Sequence, residues 1–267
     1  MRRFHSTPIF AGSVTKFTCL ITPGRSGSTF LQVTLNRLYN VFAEESYHTI
    51  TGKPEQCFSS IIGKTETEKN AFIKSKIEYI EGLNCEHYMD SVSLICQDNN
   101  IERFIDNGYV PNVITLRRDP RMVAQSFYEL DWDPITPPMS SLDPTAPDAI
   151  KMTLADPHPY QLCLWYCVEI ERIARAYKGK LEAWGVKHYE TSIQKLIEGD
   201  SFHKMLSYFD MPSIGYVYTD KINALDDCKT RKLQASEQAE LEEEFTTNIR
   251  ANNDCEESLF DMNQWQY

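Results

Sequence analysis

No stretch of these 267 residues stays apolar long enough to cross a membrane, which takes about 20 consecutive apolar residues as a helix. The nearest approach, "YQLCLWYCVEI", runs into Glu169, Glu171 and Arg172. Positive charge is short as well: 27 Lys and Arg face 38 Asp and Glu, for a net charge of −11. So acidic a chain is not expected to take nucleic acid or an anionic membrane as its main partner. An anion must then be held by local groups. The basic N-terminus "MRRFHSTPIFAGSVTKF" lacks the apolar core of a secretory signal. It reads as a short transit peptide or as a lead-in to the first strand, and the second is expected. Metal-ligand spacing is also missing. Of eight cysteines, Cys163 and Cys167 lie one helical turn apart, and no second Cys/His pair matches them. The others, Cys19, Cys57, Cys85, Cys96, Cys228 and Cys255, are irregularly spaced. In a chain of this size they read as reduced thiols of a cytoplasmic protein.

What is present is an ordinary globular mixture, 42% hydrophobic and 24% charged, which can bury a core. Segments alternate. "FTCLIT" at 17–22 reads as a buried strand and "SGSTFLQVTLNRLYN" at 26–40 as a helix. A short strand follows at 41–43, then a helix near 66–82, a strand "VSLIC" at 92–96 and a helix near 100–107. The strand "NVITLR" at 112–117 leads to a helix that begins at Pro120. Seven of the thirteen prolines fall within 131–160, which reads as a surface excursion inside one domain spanning 1–267. Beyond it come an apolar helix over 160–178, a strand "VKHY" at 186–189 and two helices within 192–209. An acidic helix at 235–250 opens a C-terminal tail. The expected class is α/β, a three-layer fold of the P-loop type with a central parallel sheet flanked by helices. Ligands then belong at the C-terminal ends of the strands.

Between the first strand and first helix lies "ITPGRSGSTFL". Gly24, Arg25, Ser26, Gly27, Ser28 and Thr29 are small or hydroxylated and carry one cation. At a helix start, unpaired N–H groups and the helix dipole favour an anion. A glycine turn with a capping serine and no ligand is the plain alternative, but capping has no use for an arginine. The NTPase form of such a loop needs Gly-Lys-Ser/Thr. Here Ser28 and Thr29 follow Gly27 directly, and the cation comes earlier.

A second anion site is read in "NVITLRRDPRMVAQSFYEL". Arg118 ends a strand and offers a planar fork of donors. Ser126 lies two turns into the next helix. The plain alternative has Asp119 as a cap, Arg121 solvated and Ser126 incidental.

The two stretches, in this order, resemble the sulfotransferases that use 3′-phosphoadenosine 5′-phosphosulfate (PAPS). "PGRSGST" is similar to that family's loop for the 5′-phosphosulfate, and "RRDPRMVAQSFY" to its 3′-phosphate motif. "VKHYETSIQKLIEGDSFHKMLSYFDM" looks like a later strand and its helices. The resemblance covers 17–45, 110–130 and 184–212. It implies that Gly24, Arg25, Ser26, Gly27, Ser28 and Thr29 hold the 5′ end, that Arg118 and Ser126 hold the 3′-phosphate, and that no metal is required. Arg25 becomes the cation for the leaving oxygen. The product is 3′-phosphoadenosine 5′-phosphate (PAP).

For the base, "VFAEESYHT" is similar to "CGEET" of the tyrosylprotein group. This makes Glu45 the first candidate, with Glu44 and His48 behind it. Some relatives carry a lysine after the strand preceding the 3′-phosphate strand, a place read here as Gln97 and Asp98. Lys53, Lys221 or Lys229 would have to substitute. Trp132, Tyr128 and the proline-rich segment would border the acceptor pocket, whereas Trp165 and Tyr166 read as core. The acceptor is a small molecule, peptide or glycan with a hydroxyl or amine. An atypical small-molecule kinase and a non-catalytic nucleotide-binding protein are the competing readings.

Overall fold

Along β1 (Lys16–Ile21) the side chains alternate between two apolar environments. Phe17, Cys19 and Ile21 enter one buried cluster, and Leu20 enters the other. A strand covered on both faces must be apolar nearly throughout, as this one is. The structure, a computed structural model, describes residues 15–44, 57–137, 140–198, 200–213, 215, 230–254 and 259.

Among the described residues five strands form one parallel sheet in the order β2-β3-β1-β4-β5. The others are β2 (Val41–Glu44), β3 (His87–Asp90), β4 (Asn112–Arg117) and β5 (His188–Ser192). β1 pairs with β3, Cys19 beside Asp90, and with β4, Ile21 beside Thr115. β2 joins β3 with Glu44 beside Asp90, and β5 joins β4 with Ser192 beside Arg117. The chain leaves β1 toward one side for β2 and β3, then crosses to the other side for β4 and β5. The C-terminal end of β1 is therefore the switch point of the sheet, where open α/β sheets bind ligands.

Helix α1 (Ser28–Leu35) covers one face, together with α6 (Ile193–Ile197) and α7 (Asp200–Tyr208). The other face carries α2 (Glu66–Gly82), α3 (Asn100–Asp106), α4 (Pro120–Glu129) and α5 (Pro159–Ala183). Local chemistry sets their starts. Thr65 and Glu68 form a reciprocal capping box on α2, and His158 with Gln161 does the same on α5. Asp119 caps α4 ahead of Pro120. The acidic α8 (Ala235–Asn252) docks on α5, burying Phe245 and Ile249 and giving Tyr160 Oη a carboxylate partner in Glu242.

Several sequence readings need correction. The strand expected at 92–96 is instead β3 at His87–Asp90, while Ser93–Cys96 is a short 3-10 helix. Polar His87 and Asp90 hide the strand, because Asp90 is neutralised by a lysine from α2. The apolar Leu94, Ile95 and Cys96 fill the space beneath the sheet without joining it. The first helix stops at Leu35 rather than 40. Just beyond, the Asn36 amide bonds both backbone groups of Ala43, at 2.6 and 2.8 Å, and ties the turn to β2. Nor is the proline-rich segment wholly superficial. Ser140 and Ile150 are buried, Ser140 Oγ donates to Gln97 at 2.9 Å, and Trp165 Nε1 donates to the Ile150 carbonyl at 2.8 Å. Trp165 and Tyr166 are core residues, as expected.

Candidate functional site

The turn after β1 has an unusual backbone. Gly24, Arg25 and Gly27 have φ of 78°, 48° and 100°. Left-handed residues at a turn are a backbone form that can gather N–H groups into a concavity suited to an anion. Ser26 is buried, its hydroxyl donating to the Gly24 carbonyl at 2.8 Å. Gly27 is forced twice over. Its φ excludes most side chains, and a Cβ there would run into the Ile193 side chain on α6.

β4 ends one strand away. Of its arginines, Arg117 is committed elsewhere, at 2.9 Å from Glu171 and 2.7 Å from Glu190. Arg121, on α4, is held by Asp119 at 2.8 Å. Arg118 has no ion-pair partner among the described residues. Its Nη1 donates to the Arg25 carbonyl at 2.7 Å. Burial works against its charge, which Asp119 partly offsets. The Arg25 side chain reaches across in turn, Nε donating to Ser126 Oγ at 3.1 Å. Its guanidinium lies over the Trp132 ring, 5.5 Å from the centroid. Two stretches far apart in sequence thus meet at the switch point, Arg25 reaching Ser126 and Arg118 reaching the Arg25 carbonyl.

Glu44 goes elsewhere. It is buried and faces α2, where Lys76 Nζ lies 3.1 Å from its carboxylate and 3.1 Å from Asp90. Tyr88 Oη donates to Glu44 at 2.5 Å, and Tyr79 Oη at 3.2 Å. Burial, then the Asp90 and Glu44 charges, push the Tyr88 phenol well above its usual range. Lys76, Tyr88 and Tyr79 thus hold the Glu44 carboxylate on the α2 side of the sheet end. Glu45 and His48 lie outside the described residues, as do Lys53, Lys221 and Lys229.

The place read as Gln97 and Asp98 also moves. The strand preceding β4 ends at Asp90, so Ser91 and Val92 follow it. Gln97 instead accepts bonds from Ser140 and Ser141, and Asp98 pairs with Lys69 at 2.5 Å. Cys163 and Cys167 are both buried, and burial pushes the Cys163 thiol up to about 12. Among the described residues no group of His, Cys, Asp or Glu is arranged to hold a metal. No described helix is long and apolar enough to cross a membrane.

Two features escaped the sequence reading. The contact of Trp132 with Arg25 had no local signal. Lys76 had one: it falls on the apolar stripe of Phe72, Ile73 and Ile80, where an unpaired lysine has no place. One further triplet, Gly63-Lys64-Thr65, has the NTPase composition but not the setting. It follows a 3-10 helix rather than a strand, and Thr65 caps α2.

Among the described residues an all-parallel sheet has a glycine turn at its switch point and an arginine-bearing strand end beside it, an α/β architecture. Comparison with solved structures narrows this. The crystal structure of a sulfotransferase from Alicyclobacillus acidocaldarius superposes with a TM-score of 0.52 over 96% of this chain and 100% of that one, at 10% identity. The chain therefore has a sulfotransferase fold. The sulfotransferase domain from the curacin biosynthetic pathway gives 0.49 at 12% identity, covering 87% of this chain and 97% of that one. The sulfotransferase domain of the Synechococcus PCC 7002 olefin synthase gives 0.48 at 16%, covering 90% and 97%. No protein-family model and no curated protein sequence matches the chain.

Proposed function

We propose that the protein is a PAPS-dependent sulfotransferase, moving a sulfuryl group to a hydroxyl or amine of an acceptor and releasing PAP. The observation that carries this is the convergence of Arg25, Arg118 and Ser126 on the turn after β1. A donor with one phosphate at each end of its ribose needs two anion sites side by side, which ATP does not.

In the reaction the acceptor oxygen or nitrogen forms a bond to sulfur as the bond from sulfur to the bridging phosphate oxygen breaks. The acceptor's proton passes to a base, and negative charge grows on the departing oxygen. The backbone donors of Ser26 to Thr29 would hold the 5′-phosphate, and Arg118 and Ser126 the 3′-phosphate. Arg25 would meet the charge on the leaving oxygen. Like phosphoryl transfer, this is chiefly positioning and electrostatics. For the base we assign Glu45, since Glu44 is occupied by Lys76 and Tyr88.

The test is thermal unfolding with PAP, with ATP and magnesium, and with sulfate. A ligand at 100 times its Kd stabilises the fold by about 2.7 kcal/mol. PAP should raise the melting temperature and ATP should not. Turnover of PAPS against phenol, sugar, amine and peptide acceptors then separates an enzyme from a nucleotide-binding protein. Stabilisation by magnesium and ATP alone would favour the kinase reading instead.

A further inference from the structure

Trp132 stands where the chain leaves α4. Its backbone N–H donates to the Phe127 carbonyl at 3.0 Å, and its ring packs against Phe127 with centroids 6.4 Å apart. Phe127 in turn abuts the buried Tyr166, so one side of the indole is braced by core. The indole is still 40% exposed, an unusual state for so large an apolar group. The Arg25 guanidinium lies over it at 5.5 Å.

Arg25 sits on a turn with φ of 48°, and its side chain has several rotatable bonds. The Arg118 bond at 2.7 Å holds its carbonyl and the Ser126 bond at 3.1 Å holds Nε. A flat aromatic face beneath a flat cation favours one orientation of its plane, a device available to arginine more than to lysine.

We propose that Trp132 is a positioning residue for Arg25: its indole is the platform that sets the plane in which the guanidinium is presented to the anion. The kinetic part of this rests on the sulfuryl-transfer reading; the contact itself does not.

The contact is read without nucleotide. The emission of Trp132, one of four tryptophans, is isolated as the difference between the parent and its Trp132→Phe variant. This is recorded with Arg25 present and in an Arg25→Met background. The difference spectrum should shift when the guanidinium is removed, and an unchanged spectrum overturns the proposal. For function, Trp132→Leu should lower kcat about five- to twentyfold and hold the KM for PAPS and acceptor within about twofold. Trp132→Phe should recover most of the rate, and Trp132→Leu should cost little further in the Arg25→Met background. A change confined to the acceptor KM would show that Trp132 touches the acceptor instead, and additive losses would show that it acts apart from Arg25; either refutes positioning. Melting curves of each variant identify a loss due to unfolding, and there Trp132→Phe alone decides. If the parent protein neither binds PAP nor turns over, sulfuryl transfer fails as a reading, while the emission result still decides the contact.

Discussion

Replacing Lys76 by methionine isolates the buried cluster at the ends of β2 and β3. The substitution keeps most of the side-chain volume and removes one charge. Lys76 is fully buried, and its ammonium lies 3.1 Å from Glu44 and 3.1 Å from Asp90. Without it two buried carboxylates remain side by side, bonded by the Tyr88 and Tyr79 hydroxyls and the Val92 N–H. Breaking a buried ion pair by removing one partner costs about 3–5 kcal/mol. For a chain of this size each kcal/mol lowers the melting temperature by about 2 °C, so the drop should be roughly 6–10 °C. Thermal and urea unfolding followed by circular dichroism would measure it. The triple variant Lys76→Met, Glu44→Gln, Asp90→Asn removes all three charges and should regain most of the loss, because neutral clusters avoid the desolvation cost. A loss under about 1 kcal/mol for Lys76→Met would refute the argument. So would a triple variant no more stable than the single one, since the damage would then be packing and not charge.

Arg118→Ala should weaken PAP about ten- to a hundredfold, the worth of one charged hydrogen-bond partner, and leave adenosine 5′-phosphosulfate nearly unchanged; equal losses in calorimetric titrations would remove it from the 3′-phosphate. Arg25→Ala should reduce kcat about a hundred- to a thousandfold and PAP affinity less, and a normal kcat with weakened donor binding would end its leaving-group role. Glu45→Gln should cut turnover about 10²–10⁴-fold with PAP affinity intact, whereas Glu44→Gln should show itself mainly in the melting temperature; the reverse pattern would return Glu44 to the chemistry. The His87 pKa is lowered in the fold, by burial and then by Lys16. Because its folded value lies below the unfolded one of about 6.5, its contribution to stability is present above that pH and lost as pH falls through it. Melting temperatures from pH 8 to 5 should therefore decline less steeply for His87→Leu than for the parent.

The fold was legible wherever a segment's own chemistry agreed with its place. β1 and β4 are apolar because both faces are covered, and α2 and α4 announce their starts through Thr65 with Glu68 and through Asp119 with Pro120. β3 was missed because its identity rests on a partner. "HYMD" has no apolar run to mark it as a strand, and Lys76 from α2 pairs with its buried Asp90. "VSLIC" reads as a strand because an apolar run of that length carries no mark distinguishing a paired strand from a core-filling turn. Helix lengths slipped for a similar reason: α1 ends where the Asn36 side chain takes up the backbone of Ala43.

The candidate site divides along the same line. Backbone requirements leave a local signature, so Gly24 and Gly27 could be read as a turn from the sequence alone. Side-chain destinations do not. Arg117, Arg118 and Arg121 are chemically alike and close in sequence. Only the positions of Glu171, Glu190 and Asp119 decide that two of them are neutralised in place and that Arg118 turns to the Arg25 carbonyl. The same holds for Glu44. Its place at a strand end suggested chemistry, and no local signal shows that β3 and α2 bring it Tyr88 and Lys76. For an acidic protein to bind an anion, its net charge must be overcome by local cations. Around β4, Arg117 ties the strand to α5 and β5, Arg121 pairs with the cap of its own helix, and Arg118 faces the turn after β1.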